Sequence, residues 1–454
     1  MELAKETAAD AGTLISGRCL KQLAPTVPYT PNFGTRMKSA IKCIPLLLVA
    51  LSALASLPAV ALDSQEVFER NEHALYQIRV INRETGKKSS IGSGFIFDQP
   101  NRLATNYHVV STFIEKPETY ELRYLAADGS EGPLQLIAVD AVHDLAMVDA
   151  TVPLGTPLAV GEPPPKGASL FAMGNPLDLG LTIASGTNGG ILSQTDDSRI
   201  LFSGSLNPGM SGGPTFDDQG LVVGINVSTA RNDISFIVPA RFLQPLLLAH
   251  HSTPKSILDG IGRQIRDYQT AYLNTMTAAG WTSTRLRQMQ VPGAISPTVR
   301  CWDASIKPKP EYLYRRFSIS CKNENDIYLT NKLEVGKILY EYIWVETEQL
   351  EPLRFYRLYR ALNSSQFGSR AGKDDVERFL CDTRFVDVNG LDFKTTICAR
   401  RYKNYPELSD ILFTAAMTGK KDTGFIFNLD LSGTDFAAAN QLIVRFLEEL
   451  KWQP

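Results

Sequence analysis

The sequence predicts a mainly β chain in three parts: a barrel or sandwich of short strands, a helical linker, and an α+β domain. Three observations carry this reading. From about Ser64 to His251, short apolar or alternating runs recur between turn residues, the pattern of an all-β domain. Between Ile257 and Tyr272, apolar residues return every third or fourth position, the period of a helix packed on one side. From about residue 298 the strand-like runs resume, and the chain closes with a helical stretch from Asp435 to Trp452.

Composition supports an ordinary folded chain. Of 454 residues, 44% are hydrophobic and 21% charged, which excludes wholesale disorder, collagen-like repetition and a polytopic membrane protein. The 46 basic and 48 acidic side chains leave a formal charge of -2, so no strong field draws nucleic acid or an anionic membrane. Neither is expected as a partner.

Taken in order, the first element is an export signal. Met37 is followed by Lys38 and Lys42, an apolar stretch from Ile44 to Leu57, and the small-x-small triplet Ala59-Val60-Ala61. A signal begins at the initiator, so Met37 reads as the true start and residues 1–36 as a mis-called extension. Residues 37–61 then form the signal peptide, with Leu62 at or near the mature N-terminus and a periplasmic or secreted bacterial location. The competing reading is an uncleaved anchor, but the apolar run is short against the ~20 residues of a span. No stable membrane insertion is expected once the signal is removed.

The strand candidates of residues 62–251 are ALYQIRVI (74–81), GSGFIFD (92–98), LQLIAVDA (134–141), SLFAMG (169–174), RILFSG (199–204), GLVVGIN (220–226) and ISFIVP (234–239). Pro239 to His250 reads as a closing helix. Residues 252–297 read as a helical linker, loop-rich from Gly280 to Pro297. In the segment 298–454, RRFSISCK, KILYEYIWVE, LRFYRLYRAL, DFKTTICARR and TGFIFNLDL read as strands. Its four cysteines, Cys301, Cys321, Cys381 and Cys398, suggest two disulfides in an exported chain. Three connectivities are possible. Cys301–Cys321 with Cys381–Cys398 is preferred because each pair closes a short loop. Zinc is the weaker alternative, since no pair has C-x-x-C spacing and no histidine follows His251. No metal or cofactor is expected.

Three segments carry chemistry. ATNYHVV places His108 just after a strand, VHDLAMV places Asp144 at the start of an alternating run, and NPGMSGGP sets Ser211 in a glycine-flanked turn. A serine hydroxyl needs a base to remove its proton, which one ring nitrogen of His108 supplies in this reading. Asp144 holds the other nitrogen, fixing the tautomer. The turn aims the amides of Gly209 and Ser211 at one point, an oxyanion hole contributing about 3–4 kcal/mol per donor. His143 sits beside Asp144, and strand alternation predicts that it faces solvent. His73, His250 and His251 read as surface residues.

These residues resemble the trypsin-like serine proteases, particularly the HtrA (DegP-like) branch, over roughly residues 70–245. The likeness includes GSGFIFD, DLAMV, FAMGNPLDLG, VVGIN and ISFIVPA. It implies two six-stranded β-barrels with the active site in the cleft between them, and protein or peptide substrates. Two departures stand out. Met210 replaces the usual Asn or Asp before the nucleophile, and no GLGF-like carboxylate-binding loop of a PDZ domain follows His251. Trypsin-like enzymes that cleave after Arg or Lys carry an acid six positions before the serine, where this chain has Ser205 followed by Leu206. With Ile225, Asn226, Val227 and Ser228 as the second wall, also uncharged, the resemblance implies an apolar or small P1 residue. A catalytically silent binding module and an esterase are the alternative functions, and the oligomeric state stays open.

Overall fold

Why residues 75–150 close into a barrel is visible in their alternation. The computed structural model describes residues 61–191, 199–227, 235–248, 254–307, 309, 311–323, 327–363 and 371–453. The expected signal peptide and the extension before it lie outside these residues, as do His250 and His251. Helix α1 (Ser64–Asn71) opens the described chain with a capping box, in which Asp63 accepts from the Glu66 amide at 2.9 Å and Glu66 accepts from the Asp63 amide. Then come β1 (Leu75–Asn82), β2 (Lys88–Ile96), β3 (Arg102–Thr105), α2 (Tyr107–Glu115), β4 (Tyr120–Leu125), β5 (Glu131–Asp140) and β6 (Leu145–Ala150). Ile78 and Val80 of β1 and Leu134 and Leu136 of β5 point inward at a period of two, and the strands close in the order β1-β2-β3-β6-β5-β4.

A second closed barrel follows: β7 (Ser169–Gly174), β8 (Thr182–Ile191), β9 (Ile200–Phe202), β10 (Pro214–Phe216), β11 (Val222–Val227) and β12 (Ser235–Pro239), in the order β10-β11-β12-β9-β8-β7. The two six-stranded barrels are those the sequence implies. Their shared core joins Phe95, Leu145 and Met147 of the first to Phe171, Phe216, Ile225 and Val227 of the second. After a 3-10 turn at Ala240–Phe242, α3 (Leu243–Leu248) covers that core with Leu243 and Leu246; the end of the expected helix from Pro239 to His250 lies outside the described residues.

Helix α4 (Pro254–Ala278) runs for roughly 38 Å. It does more than connect. Ile257, Ile261 and Ile265 pack with the first barrel, and Gln264 exchanges hydrogen bonds with the Val139 carbonyl and Ala141 amide. Its second half places Tyr272, Leu273 and Met276 against the C-terminal sheet. The stretch expected as a loop holds β13 (Ser283–Leu286) and β14 (Met289–Pro292), which turn through Arg287 at φ 57°. Burial of Leu286, Met289 and Val291 stabilises this hairpin, a signal too short to show as periodicity.

The C-terminal region contains β15 (Val299–Asp303), β16 (Arg315–Asn323), β17 (Ile327–Tyr328), β18 (Glu334–Val335), β19 (Ile338–Glu346), α5 (Pro352–Leu362), β20 (Leu380–Val388), β21 (Leu391–Arg401), β22 (Ser409–Met417), β23 (Thr423–Thr434), α6 (Phe436–Glu449) and β24 (Lys451–Trp452). An antiparallel seven-stranded sheet has the order β15-β16-β19-β23-β22-β21-β20, while β24 joins β13 and β14. Tyr340, Tyr342 and Trp344 of β19 face α6, whereas Ile343 and Val345 face Phe355 of α5. The run LRFYRLYRAL is therefore a helix, not a strand. Phe355, Leu358, Tyr359 and Leu362 form its buried stripe, Pro352 occupies its first turn, and the arginines face outward. On α6, Leu442 is buried but Val444 is exposed, because two residues along a helix turn to another side. The cysteines form Cys301–Cys321 and Cys381–Cys398, each joining directly opposed residues of neighbouring strands.

Candidate active site

His108 lies in the first turn of α2, immediately after Asn106 and Tyr107 leave the barrel at β3. Asp144 ends the β5–β6 turn with φ 58°, a left-handed conformation that an aspartate tolerates better than most residues. That turn brings its carboxylate beneath α2. One oxygen accepts from the His108 backbone amide at 2.9 Å and the other meets His108 Nδ1 at 2.7 Å. The Asp144 carbonyl accepts from the Tyr107 amide and from Asn106 Nδ2. Asp144 is 1% exposed, so both oxygens spend their hydrogen-bonding capacity on one histidine rather than on water.

The turn around Ser211 is held from three sides. Gly209 and Gly212 adopt φ 99° and 87°, and a side chain at either would collide with backbone, at Asn175 and Ser93 respectively. Ser93 donates through its hydroxyl to the Gly209 carbonyl at 2.8 Å and through its amide to the Ser211 carbonyl at 2.7 Å. Asn226 donates to the Met173 and Met210 carbonyls and accepts from Thr215 Oγ1. The Pro208 carbonyl accepts from the Leu177 amide. Since carbonyl and amide of a trans peptide point opposite ways, the Gly209 N–H faces away from Leu177. Met210 buries its side chain in the second barrel, leaving backbone alone to shape the turn.

Two readings of the sequence need correction. His143 is half-buried rather than turned fully to solvent: its Nδ1 lies 2.6 Å from Asp140 Oδ2 and its ring stacks on Phe242 at 3.9 Å. It sits in the turn before β6, where strand alternation does not apply. Ile225 and Val227 do not wall a pocket, because β11 lies between β10 and β12 and sends both side chains into the inter-barrel core. Asn226 is a staple for the turn. Ser205 is exposed and Leu206 buried beside Phe202 and Met210, while residues 228–234 lie outside the described residues. His73 is exposed, as expected.

Ser93 and Asn226 are the turn-holding residues that sequence reasoning missed or misread. The GSG context of Ser93 was a signal for one of them. A third is Tyr328 of the C-terminal region, whose ring lies 4.9 Å from that of His108; nothing near it in sequence marks it. Among the described residues, no group of histidine, cysteine and carboxylate side chains is arranged to hold a metal.

Residues 92–225 match the trypsin-like peptidase domain family. The mitochondrial serine protease HTRA2 of Bos taurus is 28% identical over 242 residues, covering 50% of this chain and 51% of that protein. The chloroplastic protease Do-like 1 of Arabidopsis thaliana is 28% identical over 165 residues, covering 33% of this chain and 36% of its own. The chain thus spans about half the length of the first relative and about a third of the second. Among solved structures, the serine endoprotease from Yersinia pestis aligns with a TM-score of 0.36 and 24% identity, covering 44% of this chain and 69% of that one.

Proposed function

Because this chain carries an HtrA-type trypsin-like serine protease domain, we propose that it is an exported serine endopeptidase acting on proteins or peptides. The observation that carries the reading is the two-point grip of Asp144 on His108, made beside a backbone turn built around Ser211. With its Nδ1–H donating a hydrogen bond to the Asp144 carboxylate, the imidazole presents Nε2 as an acceptor. Ser211 Oγ attacks the scissile carbonyl as Nε2 takes its proton, and Asp144 stabilises the imidazolium. The amides of Gly209 and Ser211 receive the oxyanion. The imidazolium then protonates the leaving amine as the C–N bond breaks, leaving an acyl-enzyme. Water, deprotonated by the same nitrogen, releases the acid and restores Ser211.

An apolar or small P1 residue suits the uncharged Ser205-Leu206 segment. Export through residues 37–61 belongs to the same proposal, and an intact mass placing the N-terminus at or near Leu62 would support it. The decisive test is labelling by a fluorophosphonate probe. Wild type should react at Ser211 and hydrolyse an unfolded protein, whereas Ser211→Ala should do neither. Equal hydrolysis by both would end the assignment.

A further inference from the structure

The His108 ring has one edge fixed by Asp144, and a single edge contact leaves the ring free to rock about that hydrogen bond. Rocking swings Nε2, the atom that must meet the serine proton. Tyr328 packs beside this ring, with centroids 4.9 Å apart and planes tilted by 35°. Both barrels lack this tyrosine. It belongs to the hairpin of β17 and β18, more than 200 residues along the chain from His108.

The hairpin is firmly seated. Ile327, Leu329, Leu333 and Val335 are buried in the apolar cluster that also contains Tyr107, Val110 and Ile261. Ile327 and Leu329 are buried in that cluster, and Tyr328 between them is half-buried, packing against the cluster while its ring meets the imidazole. Tyr107 Oη donates to the Leu329 carbonyl at 2.6 Å. Two consecutive residues of α2 thus contact two consecutive residues of the hairpin, Tyr107 meeting Leu329 by hydrogen bond and His108 meeting Tyr328 by ring contact. Thr330 Oγ1 accepts the Lys332 and Leu333 amides and so stiffens the turn. Asn323 donates to the Gly336 carbonyl, and the Gly336 amide donates to Ser432, which ties the hairpin base to the large sheet.

We propose that Tyr328, carried by the C-terminal hairpin, is a positioning residue that holds the His108 imidazole in its working orientation. The inference rests on the reading of His108 as the base. It makes the C-terminal region part of the catalytic apparatus, acting on the base itself and not only on what reaches the cleft. The flat ring face supplies the restraint, so phenylalanine should serve in its place and an aliphatic side chain should not.

The test uses the full chain with Tyr328→Ala, Tyr328→Leu and Tyr328→Phe, each checked for an unchanged unfolding midpoint. The readouts are the second-order rate of fluorophosphonate labelling and the separate kcat and KM for a short peptide. Alanine and leucine should lower the labelling rate and kcat by about ten- to a hundredfold, the scale of a small misplacement of a reacting group. KM should stay within about twofold, and phenylalanine should restore the rate. If alanine unfolds the protein, leucine, which keeps apolar volume, decides the matter. Wild-type or faster labelling by the leucine variant would overturn the proposal, as would a change in KM alone or failure of phenylalanine to restore the rate. Absence of labelling in wild type itself would instead overturn the hydrolase reading, and this inference with it.

Discussion

Replacing Asp144 by asparagine tests the geometry most sharply, because the two side chains have the same shape and differ in hydrogen-bonding sense. Asp144 accepts twice, from the His108 amide at 2.9 Å and from Nδ1 at 2.7 Å. An asparagine accepts at only one of those positions and must donate at the other. If its oxygen keeps the backbone amide, its NH2 faces Nδ1, which must then be an acceptor. The proton moves to Nε2, and the base can no longer receive the serine proton. If the amide flips, Nδ1 keeps its proton but two N–H groups oppose each other at a buried site, at a cost of about 1–3 kcal/mol. The first arrangement is therefore favoured, and the tautomer inversion should lower kcat by about four orders of magnitude. That corresponds to roughly 5–6 kcal/mol of lost transition-state stabilisation. Peptide hydrolysis and fluorophosphonate labelling should fall together while the unfolding midpoint shifts little. An Asp144→Asn variant within about tenfold of wild type, alongside a dead Ser211→Ala, would refute the assigned role of Asp144.

The sequence exposed most of the barrels because their strands bury one face and alternate. The candidate site was legible as well, since the glycines and polar residues around His108, Asp144 and Ser211 mark the turns that hold these side chains. Misreadings arose where parity fails or where a partner is remote. His143 was assigned by extending strand alternation into a turn, where Asp144 at φ 58° resets it. Ile225 and Val227 lie on a strand covered on both faces, so apolar character there said nothing about access to substrate. Residues 353–362 are rich in Tyr and Phe, which favours a strand locally, yet Phe355 and Tyr359 find their partners across a sheet face at helical spacing. Tyr328 left no trace. Its contact depends on a docking that includes the Tyr107–Leu329 hydrogen bond, whose partners are 222 residues apart.

Removing both disulfides by reduction should lower the stability of the C-terminal sheet by roughly 3 kcal/mol for each crosslink, since their ends are 20 and 17 residues apart; denaturant unfolding with and without reductant measures this. Glu115, at the end of α2, is pushed up to about 7, first by burial and then by Asp375, with Lys116 opposing. Its unfolded value is near 4.5, so the folded state binds the proton more tightly, and stability should fall as pH rises from about 4.5 to about 7. Glu115→Gln should flatten that interval and raise the midpoint at pH 8 relative to wild type; parallel curves for the two proteins would dismiss Glu115 as the cause. The last expectation concerns a chain cut after His251. Its barrels contain no cysteine, which argues for independent folding, but the cut also removes Ile257, Ile261, Ile265 and the Leu329 hairpin from the cluster around Tyr107 and Val110. Each large aliphatic side chain stabilises by about 1.5–3 kcal/mol when fully buried, so uncovering this face should cost several kcal/mol and leave an apolar patch prone to association. The shortened chain should therefore unfold at lower temperature than the full one and sediment as aggregates. A monomeric fragment with an undiminished midpoint and full labelling at Ser211 would show that α2 needs no cover, and that the cluster adds nothing the barrel lacks.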